Sequence, residues 1–286
     1  MIKENVNLKN LNTYGIGGIA KYVFYPSSID ELISKLKDLK EHNEKYYILG
    51  SGSNVILPDS DFDGTIIKLD NLNTLEIKDD FAYADAGILL ISFIKKTLDD
   101  GYTNLVNLYG IPGTLGGAIV GNAGSFKSCI FDFIESIKVL DSNFNILELK
   151  KEDIKYSART TDIRRNNYIV ISAKIKLEKG SVEEAKELIL EHNEFRKNNQ
   201  PLEYKNAGSV FKNPENLSAG YLVDHILNMK DVSIGGASIS SKHANFIINK
   251  NNATSSDIIS LIEMVKKRAK EEQNIDLELE QIIVKW

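Results

Sequence analysis

Fifteen residues, Gly110-Ile-Pro-Gly-Thr-Leu-Gly-Gly-Ala-Ile-Val-Gly-Asn-Ala-Gly124, hold six glycines (Gly110, Gly113, Gly116, Gly117, Gly121 and Gly124), where average usage of about 7% gives one. Glycine admits positive φ and lets backbone N–H groups come close to an anion. No carboxylate falls between Gly101 and Ser128, so a phosphate could sit there without charge repulsion. The plain alternative is a set of tight turns between strands, and the glycine density favours a ligand. A second glycine loop, Gly50-Ser51-Gly52-Ser53-Asn54, follows a strand-like run at 45–49 and invites a dinucleotide fingerprint. That fingerprint fails: Val55 stands at the third glycine position, and Val55-Ile56-Leu57-Pro58 opens a helix poorly. Asp70 lies near the spacing of a ribose-binding acid but stands alone. No Gly-Lys-Ser/Thr phosphate loop occurs anywhere. The residues point to a phosphate-rich nucleotide held by two glycine loops outside both common nucleotide folds.

Around these loops the periodicities predict an α+β chain. Ser28 and Glu31 frame a capping box for a helix carrying Ile29, Leu32, Ile33, Leu36 and Leu39 on one face. Strands are expected at 64–69, 74–78, 81–86, 134–140, 145–150 and 168–177. A helix over 89–100 should stop at Gly101. Another starts near Ser181, boxed by Glu184, with Val182, Ala185, Leu188, Ile189 and Phe195 on its apolar face, and marks a candidate domain junction. The remainder reads as a helix at 217–229, a strand at 244–249, a helix from Thr254 to about Gln273, and a last strand at 277–284. With 286 residues, 42% of them hydrophobic, about two domains are expected.

Acidic and basic residues (40 and 35) are interspersed, leaving a net charge of −5 and no basic stripe for nucleic acid or an anionic membrane. No apolar run reaches the roughly 18 residues of a membrane span, and Met1 to Asn10 is polar, so a cytoplasmic protein is expected. Cys129 is the single cysteine and reads as a small buried residue, not a nucleophile. His42, His192 and His225 fall in helical patterns without metal-ligand clustering, and no metal is expected.

Six motifs in order resemble one family. They are Asn12-Thr-Tyr-Gly-Ile-Gly-Gly18, Ile48 to Asn54, Gly110 to Gly124, Asn206-Ala-Gly-Ser-Val-Phe-Lys-Asn-Pro214, Ser241-Lys-His-Ala-Asn-Phe-Ile-Ile-Asn249 and Leu277-Glu-Leu-Glu280. Together they are similar to UDP-N-acetylenolpyruvoylglucosamine reductases of the shorter subclass. The resemblance implies an FAD-binding region of two subdomains, about 1–69 and 70–180, of the vanillyl-alcohol-oxidase type. It also implies a C-terminal α+β substrate domain, 181–286. It implies non-covalent FAD, NADPH as hydride donor, and reduction of an enolpyruvyl UDP-sugar to UDP-N-acetylmuramate for peptidoglycan precursor synthesis. A monomer is expected. A related FAD-dependent oxidase acting on another substrate is the competing enzyme reading; a nucleotide sensor without chemistry is the competing class.

Hydride delivered to the terminal carbon of an enol ether pushes charge onto the neighbouring carbon and its carboxylate. Such a site needs a fixed cation and a proton donor. By the resemblance, Ser209 is the donor and Glu280 assists it. Glu278 and Glu280 share one face if the last segment is a strand. The family usually follows this glutamate with valine and arginine; here Gln281 and Ile282 stand instead. For the cation, one register aligns Tyr156 with the family's tyrosine and leaves Ser157 in place of its arginine. The other aligns Arg159 and is preferred, since a hydroxyl cannot replace the charge. Arg164 and Arg165 are rivals read as solvated loop residues. Cofactor contacts are expected from Gly50, Ser51, Gly52, Ser53, Asn54, Pro112, Gly113, Thr114, Gly116, Gly117 and Asn122. Substrate contacts are expected from Lys212, Asn213 and His243, with a structural role as the alternative for His243.

Overall fold

Ile134–Leu140 is rich in β-branched and apolar residues, and in the computed structural model, which describes residues 1–286, this strand lies inside a five-stranded antiparallel sheet. The order is Ile146–Lys150, Ile134–Leu140, Ile169–Lys176, Phe81–Asp85, Leu75–Lys78. Ile137 pairs with Ala173, and Ala173 with Ala84, so three buried side chains cross the sheet in one row. Two register shifts in the central pair, at Ile134/Ser136 and Lys138/Val139, re-aim the strand locally. Lys174 sets its ammonium 4.0 Å from the Phe81 ring centre.

Two helices share the core of this sheet. Leu90–Asp99 contributes Leu90, Phe93 and Ile94, and Ile29–Glu41 contributes Leu32, Leu36 and Leu39. The Ser28 hydroxyl accepts from the Glu31 N–H as expected, but the Glu31 carboxylate turns to Ser27 instead of closing the box on Ser28. Gly101, at φ +87, follows the 90–99 helix as predicted. A short parallel pair aligns Tyr46 with Thr65 and Ile48 with Ile67. The Val182–Asn199 helix buries Ala185 and Ile189, while Phe195, expected on its apolar face, is 53% exposed.

The chain forms two compact units. The first holds Met1–Lys3, Tyr22–Ser51 and Gly64–Asn193; the second holds Glu4–Lys21, Gly52–Asp63 and Glu194–Trp286. The second is built on an antiparallel three-stranded sheet, Ser233–Ile234, Ala237–Ile239 and Ile247–Asn249. The Ser255–Gln273 helix buries Ile258, Leu261, Ile262 and Val265 in the same core. Its start is a full capping box: Thr254 and Asp257 exchange hydrogen bonds, and Asn274, at φ +54, ends it.

Three expected elements differ. The 217–229 helix is only Ala219–Tyr221, widening into a π turn over Leu222–Ile226. Asn228 and Asp231, both at positive φ, prevent its continuation. The strand at 244–249 shrinks to Ile247–Asn249, because the Asn245 side chain grips Phe211 instead of a strand neighbour. The last strand survives only as Ile282–Ile283. Leu279 pairs antiparallel with Phe211, then Ile282 pairs parallel with Val55, so the segment changes partner in mid-course. At the change, the N–H groups of Glu280 and Gln281 face one carbonyl, Val210 O, at 2.9 and 3.5 Å. Two residues against one is a bulge; it falls after the Phe211–Leu279 pair, so Glu278 and Glu280, which flank Leu279, keep the period-two relation expected of them.

Candidate active site

The second glycine run is not one loop. Gly110 and Gly113 hold positive φ, but Thr114 then caps a helix, Leu115–Val120, by accepting from the Gly117 N–H. Gly116 is buried there because its N–H donates to Ala86 O at 2.8 Å and an added Cβ would meet Ala86 Cβ at 2.9 Å. Its place is close helix–strand packing. Gly117 is exposed, as is Pro112. The Leu115 N–H is likewise used, by Ile88 O, whereas those of Gly113 and Thr114 take no partner from the chain.

The first loop meets this helix start within the first unit. A Cβ on Gly50 would lie 2.9 Å from the Thr114 hydroxyl. Lys68, 6% exposed, donates to Gly50 O at 2.6 Å and pairs with Asp70 at 3.4 Å. The ammonium pulls the Gly50 carbonyl to the protein side, and the N–H groups of Gly50 and Ser51 make no hydrogen bond within the chain. Unengaged donors on two touching glycine segments, with a buried cation beneath one of them, fit the diphosphate of FAD. Lys68 was not expected from the sequence; a lysine inside the apolar run Ile66-Ile67-Lys68-Leu69 was the available signal.

Gly52, Ser53 and Asn54 belong to the second unit. Gly52 needs its φ of +67 and its missing side chain: a Cβ would meet Leu11 O at 2.5 Å and Asn12 Cα at 2.6 Å. The motif at 12–18 explains itself here. The Asn12 amide donates to Leu8 O and Ile16 O, and the Thr13 N–H donates to Gly52 O at 3.1 Å. Asn54 donates to Glu280 O at 3.2 Å.

Arg159 lies in the first unit, in the two-residue turn between Tyr156–Ser157 and Thr160–Thr161. It is exposed and holds φ +59, a left-handed conformation uncommon for a long side chain. Its guanidinium reaches the Gly124 backbone: Nη1 is 2.9 Å from where a Gly124 Cβ would be. Asn122, 3% exposed, donates to Ser157 O at 2.8 Å and accepts from the Phe131 N–H at 3.4 Å. Its amide therefore tethers the Arg159 hairpin. Thr161, beside it, donates to Val120 O. Arg164 and Arg165 are exposed in the short helix Asp162–Arg165. Cys129 is half-buried, not a core residue; burial and the Asp132 carboxylate at 3.2 Å push its thiol above the ordinary range, against a nucleophilic role.

The second unit brings Ser209, Glu280, Lys212, Asn213 and His243 into one body. Asn245 accepts from the Phe211 N–H and donates to Phe211 O, while its own carbonyl accepts from the Val210 N–H. That grip fixes the run after Ser209, whose half-buried hydroxyl takes no partner from the chain. The Lys212 ammonium pairs with Glu278 at 3.2 Å. Asn213 accepts from the Ala219 N–H, holding the start of the helical turn. His243 Nδ1 accepts from the Asn245 N–H at 3.2 Å, which leaves Nε2 as the protonated nitrogen of the neutral ring. Burial, aided by Lys230, lowers its pKa below the usual range.

Comparison with known proteins agrees with this arrangement. Residues 200–284 match the family model described as UDP-N-acetylenolpyruvoylglucosamine reductase, C-terminal domain, and residues 20–150 match an FAD binding domain. UDP-N-acetylenolpyruvoylglucosamine reductase of Clostridium novyi is 38% identical over 283 residues, 99% of this chain and 92% of that protein. The crystal structure of the enzyme of that name from Thermus caldophilus superposes with a TM-score of 0.85 at 30% identity, covering 100% of both chains. A solvent-stable cholesterol oxidase, 13% identical, shares the fold over 63% of this chain and 38% of its own, with a TM-score of 0.51. The fold is thus the α+β, vanillyl-alcohol-oxidase type of FAD-binding region with a further C-terminal domain, as the motifs implied, and the chain belongs to the UDP-N-acetylenolpyruvoylglucosamine reductase family.

Proposed function

We propose that this protein reduces UDP-N-acetylenolpyruvoylglucosamine to UDP-N-acetylmuramate, a step of peptidoglycan precursor synthesis, with NADPH as electron source. FAD, when bound, supplies hydride chemistry between the nicotinamide and the terminal carbon of the enolpyruvyl group. Within the region 1–180, Gly50, Ser51 and Pro112 to Gly117 hold it non-covalently, with Asn122 tying the neighbouring hairpin. Domain 181–286 holds the UDP-sugar, with Lys212 and Asn213 on the diphosphate side and His243 as a neutral N–H donor. Arg159 stabilises charge developing on the substrate carboxylate, the Ser209 hydroxyl gives a proton to the adjacent carbon, and Glu280 orients that transfer. No helix is long and apolar enough to cross a membrane. A cytoplasmic monomer is proposed.

The observation that supports the chemistry is a backbone bond between the two segments: the Glu280 N–H donates at 2.9 Å to the carbonyl of Val210, the residue after Ser209. The purified protein should be yellow, release FAD on acid precipitation, bleach with NADPH, and regain colour without oxygen only when the enolpyruvyl UDP-sugar is added. A colourless protein that FAD cannot reconstitute sinks the reading. Reoxidation by oxygen but not by the UDP-sugar favours the oxidase alternative.

A further inference from the structure

Gln281 directly follows Glu280 in the chain. In the structure it is 3% exposed, and its whole side-chain amide is engaged. Nε2 donates to Ala207 O and to Gly208 O, each at 3.1 Å. Oε1 accepts from the Tyr14 hydroxyl at 3.0 Å. The orientation of the amide is chemically forced, since two carbonyl oxygens can only accept. Tyr14 is fully buried, and burial raises its pKa so that the hydroxyl stays a donor.

These contacts lie at the joint between the two residues proposed to move the proton. Ala207 and Gly208 immediately precede Ser209, and Gly208 turns the chain at φ +74. Glu280 immediately precedes Gln281, and both their N–H groups face Val210 O. Resting on the function proposed above, we infer that Gln281 is a positioning residue for the protonation step: its buried amide ties the Ser209 turn to the Glu280 segment, with Tyr14 holding the amide from behind. A valine fills part of this space and makes none of the three hydrogen bonds. Carbonyls of Ala207 and Gly208 then lose their donors, and the turn carrying the Ser209 hydroxyl is free to shift. A displacement on the order of 1 Å at a reacting group can lower a rate about 100-fold.

The test uses Gln281→Met, which keeps side-chain length and apolar packing, and Tyr14→Phe, which deletes only the hydroxyl. In anaerobic stopped-flow experiments, Gln281→Met should be reduced by NADPH at the parent rate. It should reoxidise with saturating UDP-sugar roughly 10- to 100-fold more slowly. The apparent substrate affinity should change by less than about threefold, and the solvent deuterium isotope effect on reoxidation should rise as protonation becomes limiting. Tyr14→Phe should move the same quantities by about 3- to 10-fold. Amide hydrogen exchange of the peptide spanning 204–212 should quicken in both variants, a readout that needs no turnover. Parent-rate reoxidation in both folded variants, or equal losses in the two half-reactions, overturns the inference. If Gln281→Met does not fold, Tyr14→Phe decides alone. If the parent protein fails to reoxidise with the UDP-sugar, the proposed function falls, and unchanged exchange at 204–212 is then the result that removes the clamp as well.

Discussion

Replacing Arg159 by glycine separates what this residue does for the fold from what it does for the reaction. Its φ of +59 costs an L-residue roughly 1–2 kcal/mol, which glycine does not incur. Glycine adds freedom to the unfolded chain worth about 0.4–1 kcal/mol against folding. The difference predicts a variant as stable as the parent or up to about 1.5 kcal/mol more stable. The turn is exposed and its hairpin remains tied through Asn122 and Thr161, and whatever the guanidinium contributes beside the Gly124 backbone is lost equally in Arg159→Ala. Arg159→Ala keeps the backbone penalty and serves as the reference. Both variants lack the cation, and losing one preorganised charge at a developing oxyanion typically costs about 10²–10³ in rate. Urea unfolding should therefore rank glycine at or above alanine. Anaerobic stopped-flow should give parent-like reduction by NADPH and a 10²–10³-fold slower reoxidation by the UDP-sugar for both. A glycine variant that reoxidises within about threefold of the parent, or that loses more than about 2 kcal/mol of stability, refutes the reasoning.

Gly52→Ala places a Cβ 2.5 Å from Leu11 O at φ +67, so strain and overpacking together should cost about 2–5 kcal/mol and flavin retention should fall in gel filtration. Lys68→Met keeps the packing but leaves Gly50 O without its donor; about 1–3 kcal/mol of thermal stability should go, and FAD should be lost more readily on dialysis. Thr254 and Gly236 N–H groups hold the Asp257 carboxyl below its ordinary range. A lowered folded pKa stabilises above the unfolded value of about 3.9 and loses that stabilisation as pH falls through the folded pKa. Urea midpoints of the parent and Asp257→Asn should therefore differ at pH 7, with the gap narrowing as pH falls below about 4, whereas a constant gap removes the carboxylate from the explanation.

The regular helices and the five-stranded sheet were legible because their periodicities match their burial: Leu32, Leu36 and Leu39 lie inward, as do Ile137 and Val139. The glycine pattern marked the right segments without separating roles. Gly116 serves helix packing, Gly52 accommodates the 8–16 loop, and only some of the neighbouring N–H groups are left for an anion. The last segment was misread as one strand because Leu277-Glu-Leu-Glu280 alternates perfectly, while its partner change is set by residues far away, Val210 and Val55. The π turn at Leu222–Ile226 gave no periodic warning, since a helical apolar pattern fits either winding. Lys68 and Gln281 escaped because a polar residue in an apolar run reads as noise until its partners are seen.

The assembly of the second unit from Glu4–Lys21, Gly52–Asp63 and Glu194–Trp286 has a consequence for the order of events on the ribosome. The first unit has all of its residues once Asn193 is made. The second must wait for the segment at 277–284, whose bonds reach back across 226 residues to Asn54 and 267 to Tyr14. Closing the 226-residue loop costs about 2 kcal/mol more than closing one of about twenty residues. Until then Tyr14, Val210 and Leu222 of its core lack part of their cover. A nascent chain stalled short of Gln281 should therefore be the form that chaperones and proteases find first, and slow synthesis over the last stretch should lower the yield of folded protein more than slow synthesis anywhere before it.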